Sequence, residues 1–68
     1  MKTIPLSNVL TYKQFRVVKK ILKNKALGDK EAIDNVVNYL SPDEERINNL
    51  GLDLRFLAYN LQYQLIKQ

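Results

Sequence analysis

The chain predicts an all-α fold: a small compact bundle of four helices with an extended N-terminal arm. Two observations predict it. Apolar residues recur at i, i+3, i+4 and i+7 through successive segments, the spacing of one helix face. Between those segments stand the start and stop signals of helices: Thr11 with Gln14, Gly28-Asp29, Ser41-Pro42-Asp43-Glu44, Gly51 and Asp53. Sixty-eight residues make a single helical domain, 1–68, with a modest core, so a partner or a second copy is a reasonable expectation.

Met1 to Leu10 carry Ile4, Leu6, Val9 and Leu10 around Pro5. Pro5 disfavours an early helix start, so this stretch is expected to be an extended arm lying on the bundle. Thr11 and Gln14 then fit a capping box, in which the hydroxyl accepts from a free N–H and the amide reaches back. The first helix is expected over Tyr12 to Ala26. Phe15, Val18, Leu22 and Ala26 fall on one stripe, widened by Val17 and Ile21. Gly28 is expected to stop it and Asp29 to cap the second helix, Lys30 to Leu40. That helix turns Ile33, Val36, Val37 and Leu40 inward, and Tyr39 borders them.

Ser41-Pro42-Asp43-Glu44 reads as another capping box, with Ser41 as N-cap, Pro42 at N1 and Glu44 at N3. The third helix is short, ending near Leu50, and Gly51 follows as its stop. Asp53 caps the fourth helix, Leu54 to Lys67. This helix has two apolar stripes. Leu54, Leu57, Ala58, Leu61 and Leu65 form one; Phe56, Tyr59, Tyr63 and Ile66 form a second, nearly opposite. Arg55 and Gln62 separate them on one side, and Asn60, Gln64 and Lys67 on the other. A helix with two apolar faces is either central to its fold or packs a partner on the second face. The expected core comprises Phe15, Val18, Leu22, Ile33, Val36, Val37, Leu40, Leu54, Leu57 and Leu61.

Charge is segregated along the chain. Lys13, Arg16, Lys19, Lys20, Lys23 and Lys25 lie between Tyr12 and Leu27 with no acidic residue among them. All the carboxylates follow, between Gly28 and Asp53: Asp29, Glu31, Asp34, Asp43, Glu44, Glu45 and Asp53, against only Lys30 and Arg46. The split suggests either a polyanion-binding face or two halves that attract one another. On the first helix Lys13, Arg16, Lys19, Lys20 and Lys23 gather in an arc of about 120° opposite the apolar stripe. The candidate nucleic-acid-binding residues are these five. Cations so grouped could neutralise several phosphates, giving an affinity that falls steeply with salt. A membrane surface is a second reading, but the apolar side of the helix is needed for the core. A solvated face balanced by the acidic segment is the third. The candidate protein interface is Phe56, Tyr59, Tyr63 and Ile66, since tyrosine buries its ring and keeps its hydroxyl wet.

The residues that most chemistry needs are absent. There is no cysteine, which excludes disulfides and Cys-based zinc sites or nucleophiles, and no histidine, the commonest general base. Gly28 and Gly51 punctuate helices and form no phosphate loop. Asp43, Glu44 and Glu45 are consecutive, but a calcium loop needs alternating ligands and a turn glycine, so a charged first turn is the simpler reading. The expectation is a non-enzyme with no cofactor, no metal and no small-molecule substrate. No apolar run approaches the ~20 residues of a membrane span, so the chain is expected to be a soluble cytoplasmic protein without a membrane partner. Nucleic acid, a homodimer mate or another protein remain as partners, and the net charge of +4 mildly favours a polyanion.

One stretch resembles a known pattern. Leu27-Gly28-Asp29-Lys30-Glu31-Ala32-Ile33, then Val36-Val37, Tyr39 and Pro42, is similar to the opening of sigma-factor region two, and more closely to the short helix-turn-helix-type regulators of conjugative transposons. Leu54-Arg55, Leu57, Leu61 and Leu65 resemble the final helix of those regulators. The resemblance covers about half of the chain. It implies a small regulatory protein of a mobile element, bacterial in origin. It does not imply sigma activity and carries no functional residue across.

Overall fold

The computed structural model describes residues 9 to 66, and over them the fold is all-helical. Three helices of eleven or twelve residues build it: α1 (Tyr12–Leu22), α2 (Asp29–Leu40) and α4 (Leu54–Leu65). Between α2 and α4 lies α3 (Glu44–Asn49), a six-residue segment entered through a 3-10 turn at Ser41–Asp43. The expected bundle of four helices is therefore corrected to three, with α3 a short brace between the second and the last. The rest of the expected arm lies outside the described residues, but its last two members, Val9 and Leu10, are buried in the core.

Each boundary has a local cause. At the start of α1 both halves of the capping box form: the Gln14 backbone N–H donates to Thr11 Oγ1 at 3.1 Å, and the Thr11 N–H donates to Gln14 Oε1 at 3.0 Å. The helix stops at Leu22, four residues short of Ala26. Asn24 Oδ1 accepts from the Ala26 N–H at 2.9 Å, a local turn that competes with helical pairing. Gly28, not Asp29, is the N-cap of α2; Asp29 is the first helical residue, where with Glu31 it complements the positive end of the dipole.

The Ser41 capping box does not form. Ser41 has αR backbone angles and continues the turn of α2, its hydroxyl donating to the Val37 carbonyl at 2.7 Å. A residue that prolongs a helix cannot also take the extended backbone of an N-cap. Asp43 takes the N-cap position of α3 without bonding to it, because its carboxylate is engaged elsewhere. Gly51, at φ 83°, ends α3 as expected, its N–H donating to the Asn48 carbonyl. Asp53 caps α4 by accepting from the Phe56 N–H at 3.0 Å.

One apolar cluster holds the helices together. Val18 and Leu22 enter it from α1, Ala32, Ile33, Val36 and Leu40 from α2, Ile47 from α3, and Leu54, Leu57, Ala58 and Leu61 from α4. Ala32, Ile47 and Ala58 are additions to the expected core. Phe15 is a correction: it is only partly buried and lies outside the cluster, because α1 presents its Val18–Leu22 edge to α2 and α4. Val37 packs against the cluster from its margin. Asn60 and Gln62 are buried rather than on polar flanks. Asn60 Oδ1 accepts from Gln64 Nε2, while its own Nδ2 has no partner among the described residues.

Ile47 is the only side chain of α3 in that cluster and is fully enclosed. Ile47→Val should lower the unfolding free energy by about 0.5–1.5 kcal/mol and Ile47→Ala by about 2–5 kcal/mol, read by denaturant titration followed by circular dichroism. Equal stability of all three proteins would mean that α3 does not depend on this contact.

Candidate nucleic-acid interface

The apolar edge of α1 faces inward, so its opposite side faces solvent. Lys13, Arg16, Lys19, Lys20 and Lys23 are all exposed there. Lys23 stands at the C-cap, while Lys25 lies beyond it in the following turn. Among the described residues none of these six cations takes part in an ion pair. Two ion pairs among the described residues lie elsewhere: Arg46 with Asp43 at 3.3 Å, and Arg55 with Asp34 at 3.0 Å. The second holds the Arg55 guanidinium above its ordinary pKa, chiefly through the hydrogen bond from Arg55 to Asp34. The sharp charge split in the sequence is thus not a set of lysine–carboxylate bonds between the two halves.

Position along α1 matters as well as charge. Lys19 and Lys20 lie in the last turn, where cations complement the helix dipole. Lys13 lies in the first turn, where a cation opposes it, and that turn has no acidic residue. Arg16 is three residues from Lys13 and Lys19 and four from Lys20, and like charges at these spacings repel by a few tenths of a kcal/mol. The dipole therefore favours Lys19 and Lys20 and opposes Lys13, and no ion pair among the described residues offsets the mutual repulsion.

Two rings accompany the cations. The Arg16 guanidinium carbon sits 5.8 Å from the centroid of the Tyr12 ring, and Lys19 Nζ sits 5.9 Å from that of Phe15. Two shallow depressions run along this side. One, of about 350 Å³, is lined by Tyr12, Lys13, Arg16, Val17 and Lys20. The next, of about 650 Å³, is lined by Arg16, Lys19, Lys20, Lys23 and Asn24. They share Arg16 and Lys20. Tyr12 was not among the candidate residues, although its i, i+4 spacing from Arg16 puts it on the same arc.

A polar junction sets the start of this helix. Gln14 Nε2 donates to Asp43 Oδ2 at 2.6 Å; Arg46 Nη2 donates to the same oxygen and, at 2.8 Å, to the Val9 carbonyl. Gln14 lies on the far side of α1 from Tyr12 and Arg16, so the carboxylate is held away from the cationic face. The hydrogen bond from Gln14, then Arg46, keeps the Asp43 pKa below its ordinary value of 3.8.

The candidate protein-interface residues occupy a different surface. Phe56, Tyr59, Tyr63 and Ile66 are 39 to 49% exposed along the outer side of α4. Among the described residues no helix is long and apolar enough to cross a membrane. No protein-family model, curated protein or solved structure matches this chain.

The Asp43 junction carries a pH signature. Its carboxyl has a lower pKa folded than unfolded, so its contribution is complete above the unfolded value and disappears as pH falls through the folded one. The stability difference between the wild type and Asp43→Asn should be full at about pH 6 and shrink as pH drops below 3.8, measured by thermal unfolding across pH. A difference that stays constant through the acid range would show that the Asp43 charge has no part in it.

Proposed function

We propose that this chain is a small non-enzymatic regulatory protein that contacts nucleic acid through the basic face of α1. The observation that carries this reading is the set of five exposed cations on one side of one helix, in no ion pair among the described residues, while Asp43 pairs with Arg46 and Asp34 with Arg55. Holding like charges together costs stability, and a phosphate backbone is the partner that turns that cost into affinity. The resemblance to regulators of conjugative transposons supports the regulatory part, with a bacterial mobile element as its setting. The absence of cysteine and histidine supports the non-enzymatic part.

A second reading rests on α4. Four large apolar side chains, each about half exposed, form one stripe opposite the core-facing one. Scattered apolar residues are normal on a surface, but a contiguous stripe favours a protein-interaction module, either a homodimer or a complex with another protein.

The first reading predicts that replacing Lys19, Lys20 and Lys23 together by Gln weakens binding to labelled DNA and lowers the slope of log affinity against log salt by about 2 to 3, with the circular dichroism spectrum unchanged. Unaltered affinity and slope would remove the α1 face from consideration. The self-association form of the second reading predicts a molecular mass that rises with concentration in sedimentation equilibrium, and a loss of that rise in Tyr63→Glu. A strict monomer at high concentration would leave only a foreign protein for that stripe.

A further inference from the structure

We infer, on the premise that the α1 face binds nucleic acid, that its ligand is a single strand with one base stacked on Tyr12. Tyr12 is the most exposed large apolar residue described, at 76%, and the next is 50%. It stands at the N-terminal end of the line Tyr12, Arg16, Lys19, Lys23, whose i, i+4, i+7 and i+11 spacing keeps all four on one side of the helix. From Tyr12 to Lys23 that line rises about 16 Å. It begins with an aromatic ring and continues with cations, the combination by which single strands are held: rings take bases, and positive charge follows the backbone.

The two depressions follow the same order. The one at Tyr12 is lined by the ring, the aliphatic Val17 and three cations, and is large enough to seat a flat base. Its neighbour is lined by four cations and Asn24, a phosphate-tracking surface. Arg16 belongs to both and lies against the Tyr12 ring, so a base stacked there would also meet the guanidinium. Gln14 holds Asp43 on the other side of the helix, and among the described residues no carboxylate lines either depression. In a duplex the bases are already stacked on one another, and the ring would have nothing to stack on.

The test is a fluorescence-anisotropy titration of the wild type, Tyr12→Ala, Tyr12→Phe and the Lys19/Lys20/Lys23→Gln protein. The probes are labelled oligothymidylate, an abasic strand of equal length and a mixed-sequence duplex. The expected result is tightest binding to oligothymidylate, an affinity about 5- to 100-fold weaker in Tyr12→Ala, and full retention in Tyr12→Phe. The abasic strand should bind both Tyr12 variants and wild type alike. Circular dichroism should be unchanged throughout, since Tyr12 is 76% exposed and lies outside the core cluster. If Tyr12→Ala binds oligothymidylate as wild type does, or if the duplex binds as tightly, the single-strand inference is overturned; the nucleic-acid reading still stands where the lysine variant is weakened. No binding of any probe at low salt overturns both.

Discussion

Everything in this molecule depends on the burial of a single small cluster. Val18, Ile33, Val36, Leu40, Ile47, Leu57 and Leu61 are all but fully enclosed, and every helix sends at least one of them. A chain of this length has apolar side chains for one core and no more. Once Val18 and Leu22 are committed to that core, the rotation of α1 about its axis is set, and its lysines have no direction left but outward. The exposed basic face is therefore a consequence of packing before it is a feature of function. What packing does not explain is why the outward positions are cations in a row, including Lys13 at the end of the helix where a cation is disfavoured.

Polar contacts refine this arrangement more than they stabilise it. Gln14 serves the α1 capping box with its carbonyl oxygen and reaches Asp43 with its amide nitrogen. Arg46 ties the same carboxylate to the Val9 carbonyl. Two stretches distant in sequence, Val9 to Gln14 and Asp43 to Arg46, are thus tied together. Hydrogen bonds of this kind, exposed or part-buried, add little beside the core. Their effect is geometric: they place the first turn of α1 against the junction of α2 and α3, and they leave Tyr12 and Arg16 on the opposite side.

How much of this was legible in the sequence depended on whether the signal was local. Thr11 with Gln14, Gly51 and Asp53 act through bonds to residues within three positions, and each behaves as its pattern says. Ser41 fails because the same residues admit a competing local solution: its hydroxyl can reach back to Val37, and the chain then runs from α2 into α3 without resetting. Asp43 could not cap α3 because its partner, Gln14, lies 29 positions away, which no local pattern contains. Burial was readable where periodicity was strong, as in α2. It failed for Phe15, Asn60 and Gln62, where the outcome depends on how wide a strip each neighbouring helix covers. For the candidate surfaces, the outward direction of the α1 face was readable; for the second stripe of α4 the sequence left a central and an outer position open, and the stripe is exposed. The place of Tyr12 among the cations was readable too, from its spacing, though grouping residues by charge hid it.

The two outward faces belong to different helices, and their physics links them. Each copy of the chain carries a net charge of +4, so pairing through the α4 stripe brings like charges together and opposes itself at low salt. Near the stripe, among the described residues, Arg55 is already compensated by Asp34, which leaves the more distant cations, α1 above all, as the described source of the repulsion. A polyanion on α1 would cancel it. If both faces are occupied, binding on one lowers the cost of binding on the other, and thermodynamic reciprocity makes the effect equal in both directions. A protein this small would then couple assembly to its ligand with no change of shape, through charge alone.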